Sequence, residues 1–170
     1  MEKKVVNVFG RNNYLLGVDK DNIRYYIEEP NFDCGWYWGG LYIETFTNNY
    51  QPTRSVDIST HSHFDSMFLN STDSFGPEVF KKRFKTTVLT DDELWKLLEL
   101  GRTFYTLRSA ADLFHIGGSH ITRNNCYDVI KDQDMYEQIV KVKIPALVAE
   151  ILQLLGGTKT AKDFENKVKF

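Results

Sequence analysis

Hydrophobic and polar positions divide the chain into two halves with different periods. In the first half, Val5 to Phe9, Tyr14 to Val18 and Ile23 to Ile27 are short β-rich runs separated by turn formers, which predicts strands. Asp19-Lys20-Asp21-Asn22 joins the last two. It lacks the central glycine and closing glutamate of a calcium loop, so it reads as a hairpin turn. Trp36 to Phe46 (WYWGGLYIETF) reads as a longer aromatic strand, with Gly39-Gly40 marking a bulge or a close backbone approach. Residues 47–60 (TNNYQPTRSVDIST) and 71–76 read as loops.

The second half has helical spacing. Thr90-Asp91-Asp92-Glu93 is a capping box, and its acidic residues also suit the positive end of the helix dipole. Leu94, Leu97, Leu98, Gly101, Phe104, Tyr105, Leu107, Ala111 and Phe114 follow mostly at three and four, and Gly117-Gly118 closes the pattern. A last helix is predicted from about Asp134 to Leu155, with a kink or restart at Pro145 and a stop at Gly156-Gly157. The expectation is one α+β domain over residues 1–157. An N-terminal antiparallel sheet packs against a C-terminal helical half with two long helices, and residues 158–170 are expected to form a basic-leaning, frayed tail.

Composition narrows the function classes. The chain has 170 residues, enough for a real core, with 42% hydrophobic and 26% charged residues, which excludes wholesale disorder. A net charge of −2 excludes a cationic nucleic-acid coat and is too small for DNA mimicry by charge alone. Residues 32–80 hold six acidic residues against one basic, which makes this the acidic part of the surface. Aromatics reach 14%, a surplus that suits a recognition surface. The most apolar stretch, Ile144 to Leu155, is broken by Glu150 and Gln153 and is too short to span a bilayer. The N-terminal segment does not read as a signal peptide, and two cysteines are too few for a disulfide scaffold, so a cytoplasmic protein is expected.

All four histidines fall in two pairs. In His61-Ser62-His63, followed by Asp65, alternation along a strand would turn the three side chains to one face. His115 and His120 bracket Gly117-Gly118, where the chain can fold back. Together the pairs would make a tetrahedral site suited to Zn2+. Two plainer readings compete: His115 as a helix C-terminal cap, and Cys34 and Cys126 as small buried thiols rather than alternative ligands. HSHFD is similar to the H-x-H-x-D core of metallo-β-lactamase-type hydrolases, but Ser66 stands where that pattern has a histidine. No nucleophile elbow, Walker loop or dinucleotide fingerprint is present.

FDCGWYWGGLYIETF, THSHFDS, TDDELWKLLELGRTFYTLRSAADLFHIGGSHITRNNC and IPALVAEIL together resemble a family of small proteins from phages and other mobile elements of Gram-positive bacteria. The likeness spans roughly residues 30–155, and some members are anti-CRISPR inhibitors of type II-A Cas9. It implies a non-enzymatic protein of the host bacterial cytoplasm that binds the Cas9–guide RNA complex through protein contacts. No membrane partner and no direct nucleic-acid binding are implied. It singles out His61, His63, His115 and His120 as ligands of a structural Zn2+. The alternative is a small metal-dependent hydrolase built on the same histidines, with Asp65 or Glu44 as general base.

Overall fold

A computed structural model describes residues 1–30, 42–47, 49–57, 81, 86–114 and 133–165. Five antiparallel strands lie in chain order: β1 (Val5–Val8), β2 (Arg11–Val18), β3 (Arg24–Glu28), β4 (Tyr42–Phe46) and β5 (Pro52–Asp57). The helical half follows, so the architecture is α+β, as the two periods predict.

The hairpins are set by turn chemistry. Phe9 (φ 52°) and Gly10 (φ 81°) make a two-residue turn of the type whose twist suits antiparallel strands, and the Asn7 side chain accepts from the Gly10 N–H at 3.1 Å. Asp19 organises the next turn: its Oδ1 accepts from the Asp21 and Ile23 amides, both at 2.9 Å. Two sequence expectations need correction. The polar run Arg11-Asn12-Asn13 is already strand, because β1 and β3 pair with it on both sides. Residues 52–57, expected as loop, form β5. The proline that argues against a strand sits at its first residue, and β5 is an edge strand of the described sheet, where a missing N–H is tolerated.

Register places Tyr14, Ile27 and Ile43 side by side on one face. The helical half meets this face. Leu16 O accepts from the Thr87 and Val88 amides at 2.9 and 3.2 Å, at a bulge between Leu15 and Gly17. Helix α1 (Asp91–Phe114) starts where the capping box predicts, with the Glu93 amide donating to Thr90 Oγ1 at 3.2 Å. The Glu93 carboxylate itself pairs with Lys3 Nζ at 2.7 Å, tying the helix start to the N-terminal strand. Leu94, Leu97, Leu98 and Phe104 of α1 are buried, each worth about 1.5–3 kcal/mol of transfer free energy, while Leu107 lies partly buried at the margin.

At Pro145 the last helical stretch restarts, one of the two outcomes expected from the sequence. Helix α2 (Gln133–Glu137) passes into a π-helical segment, Gln138–Lys143, and then into α3 (Ile144–Leu154). The Ile144 N–H reaches five residues back to Ile139 O, and this wider turn just before the proline takes up the ring and its missing donor. The stop at Gly156-Gly157 is a Schellman motif. The Gly156 amide bonds Gln153 O at 3.0 Å and the Gly157 amide bonds Leu152 O at 2.8 Å, with Gly156 at φ 97°.

Beyond Gly157 the segment expected to fray is packed as far as Glu165. Thr160 begins a short helix, α4 (Lys162–Glu165), by pairing with Asp163, and Phe164 is fully buried in the common core. A single aromatic anchor outweighs the segment's polar composition. The Gly117-Gly118 stop, the strand from Trp36 to Leu41, the loop at 71–76 and residues 166–170 lie outside the described residues.

Candidate functional site

On the sheet face opposite the helices, β1, β2, β3 and β4 line a cavity of about 290 Å³. Its described lining is Val8, Phe9, Arg11, Asn13, Glu28, Glu44 and Phe46. Register explains the grouping: Val8 pairs with Arg11, Asn13 with Glu28, and Glu44 with Tyr26. These residues therefore project from one face of adjoining strands.

The site mixes apolar walls with paired charge. The Arg11 guanidinium donates to Glu28 Oε1, spanning β2 and β3. Asn13 is almost fully buried; its Nδ2 donates to Arg11 O at 3.1 Å, while its Oδ1 is buried without a hydrogen-bond partner. Phe46 packs on Tyr26 with ring centroids 5.9 Å apart and on Tyr50 at 6.5 Å. Tyr50 is half-buried, with a positive φ of 55°, and meets the Phe46 ring edge-on. The described lining contains two carboxylates, one guanidinium, an amide and apolar groups, with no nucleophile and no imidazole.

A second polar cluster lies on the helix-facing side. Glu29 Oε2 accepts from Asn12 Nδ2 at 3.0 Å and from the Tyr14 hydroxyl at 3.1 Å, and Oε1 accepts from Lys159 Nζ. Burial alone would push the Glu29 carboxyl up. Hydrogen bonds from Lys159, Asn12 and Tyr14, together with the Lys159 charge, outweigh it and hold the group below its ordinary value. Burial, then the Glu29 charge and hydrogen bond, push the Tyr14 phenol well above its ordinary value. Lys159 also lies 5.7 Å from the Phe164 ring centroid. This cluster is fully engaged internally and holds the C-terminal segment onto the sheet.

Of the residues singled out from sequence, Glu44 lies in the middle of β4, half-buried and beside the cavity. His61, His63, His115, His120, Asp65, Cys34 and Cys126 lie outside the described residues. Among the described residues, no three or more His, Cys, Asp or Glu side chains converge as a metal group. Sequence reasoning missed Arg11, Asn13 and Glu28. The Phe9-Gly10 turn was a signal for Arg11 opposite Val8, but the bulge at Leu15–Gly17 shifts the β2–β3 register and hides the pairing of Asn13 with Glu28.

No protein-family profile matches the chain, and neither the curated proteins nor the solved structures contain a significant match to it. No helix among the described residues is long and apolar enough to cross a membrane.

Proposed function

We propose that this protein is an anti-CRISPR inhibitor that binds a type II-A Cas9–guide RNA complex and blocks productive engagement of target DNA. The observation that carries this reading is the co-occurrence, in one 170-residue chain, of the DCGWYWG segment, the HSHFD pair and the HIGGSH turn. The uneven charge supports it: an acidic stretch at residues 32–80 within a chain of net charge −2 suits steering toward a basic nucleic-acid channel by a local patch. Binding rather than turnover is the mode of action, and the chain acts in the host cytoplasm. The reading includes a structural Zn2+ held by His61, His63, His115 and His120, four neutral imidazoles being a donor set that closes a tetrahedral site.

Titration into a Cas9–guide RNA complex, with target-DNA binding and cleavage both followed, tests the proposal. Activity lost in a salt-sensitive way and saturating near one inhibitor per effector is the expected result. Inhibition at strongly substoichiometric amounts would indicate the hydrolase alternative acting on the effector. Unimpaired cleavage across a panel of type II-A enzymes overturns the reading.

A further inference from the structure

The cavity on the sheet face opposite the helices has a lining that favours one kind of occupant. Its volume, about 290 Å³, lies at the small end of the range for ligand pockets. Val8 and Phe46 are buried and Asn13 is 2% exposed, which gives an apolar floor carrying one amide. Arg11, Glu28 and Glu44 also line it, one guanidinium against two carboxylates, so the described lining carries a net negative charge. The Arg11 charge is met by Glu28 Oε1, which leaves the described lining with no surplus positive charge for an anion.

Hydrogen-bonding capacity leans the same way. Glu28, Glu44 and Asn13 all bring acceptors. Asn13 Nδ2 is spent on Arg11 O at 3.1 Å, and its Oδ1 is buried with no hydrogen-bond partner. A buried acceptor without a donor is costly and uncommon in folded proteins, so a ligand rich in N–H groups suits this lining. Phe9 adds an independent observation. It lines the same cavity from the β1–β2 turn, at φ 52° and 81% exposed. Left-handed backbone disfavours an aromatic residue, and so exposed a ring gains little from burial, so folding gives no reason for phenylalanine there. Two aromatic rings beside a surplus of carboxylate suit an organic cation.

We propose that this cavity binds an alkyl guanidinium, carried by a free small molecule or by the arginine side chain of a peptide. The planar fork offers five N–H donors to an acceptor-rich lining and stacks on aromatic faces. Its alkyl stem matches Val8 and Phe46. An ammonium is a more strongly hydrated point charge with three donors, so it suits the cavity less.

Ethylguanidinium, n-butylammonium and ethylurea, titrated separately into the full chain with backbone amide shifts followed by NMR, test the assignment. Ethylurea keeps the shape of ethylguanidinium and lacks its charge. Ethylguanidinium is expected to give saturable shifts at Phe9, Arg11, Asn13, Glu28 and Glu44, n-butylammonium to bind more weakly, and ethylurea to leave them unmoved. Glu44→Gln should weaken ethylguanidinium binding about tenfold. Phe9→Asn should weaken it about threefold without lowering Tm, a combination that a purely structural ring would not give. Acetyl-Gly-Arg-amide separates the two sources: tighter binding than ethylguanidinium assigns an arginine side chain, and weaker binding assigns a free small molecule. Equal binding of ethylurea or n-butylammonium, no saturable shift at the lining residues with any probe, or an affinity unchanged in both variants overturns the proposal.

Discussion

Lys159 Nζ donates to the carboxylate of Glu29 across 130 residues of sequence, joining the chain's C-terminal segment to the end of β3. The same carboxylate takes Asn12 and Tyr14, so one acidic group gathers three elements. A side chain only 9% exposed and satisfied on both oxygens contributes to stability chiefly through what its loss would leave unpaired.

That arrangement dictates a pH dependence. With the Glu29 carboxyl held below its ordinary value, its contribution is complete above the unfolded pKa, about 4.3, and is lost as pH falls through the lower folded value. Glu29→Gln should lower stability at neutral pH and flatten the acid limb of a plot of Tm against pH. Superimposable acid limbs for parent and variant would show that the cluster carries no linkage. At the alkaline end the sign reverses. The raised Tyr14 pKa favours the neutral phenol in the folded state, so stability is lost as pH rises beyond about 10, and Tyr14→Phe should reduce that loss.

Helix α1 offers a paired test of burial. Leu97 is 2% exposed and Trp95, two residues earlier, is 42% exposed. Leu97→Ala should cost about 2–5 kcal/mol in chemical denaturation, and Trp95→Ala no more than about 0.5 kcal/mol. Equal effects would mean that α1 presents a different face to the sheet.

Gly157 is needed for close approach. A Cβ there would lie 2.6 Å from Tyr14 Cε1 and 3.0 Å from Leu152 O, so Gly157→Ala should destabilise the protein by about 1–3 kcal/mol through overpacking. At Gly10 nothing lies within 4 Å of the added carbon, yet φ is 81°, so Gly10→Ala should cost about 1–2 kcal/mol through backbone strain alone. Combining Gly157→Ala with Tyr14→Leu separates the causes, because trimming the ring should recover stability only if crowding is responsible.

Phe9 occupies a left-handed position that asparagine fills more readily. Phe9→Asn should therefore raise stability by about 1 kcal/mol while removing an 81%-exposed aromatic ring. A lower Tm for the variant would show that the ring contributes packing in the folded chain.

The proposed zinc site predicts stoichiometric metal in purified protein and a lower Tm after chelation, because metal held by the folded state adds to folding free energy. His63→Ala should reproduce the chelated behaviour. Parent and His63→Ala proteins that melt together, with no zinc in either, would remove the site from the reading.

What the sequence by itself determined is local. Thr90 and the three-and-four spacing after it placed α1, Asp19 placed a hairpin turn, and Gly156-Gly157 placed the end of α3, because each signal acts within a few residues of its own backbone. The tertiary structure decided what depends on distant partners. Arg11-Asn12-Asn13 and Pro52–Asp57 carry too little alternation to declare themselves as strands, and pairing with neighbouring strands makes them so. Pro145 reads locally as a kink or a restart, and a helix buried at Ile144, Val148, Ile151 and Leu152 widens its turn before the proline and resumes as α3 at Ile144. The cavity beside Glu44 draws on four strands, and the Glu29–Lys159 contact closes a loop of 130 residues. Neither leaves a trace in local propensity, because its energy comes from burial and pairing that exist only once the sheet and helices have met.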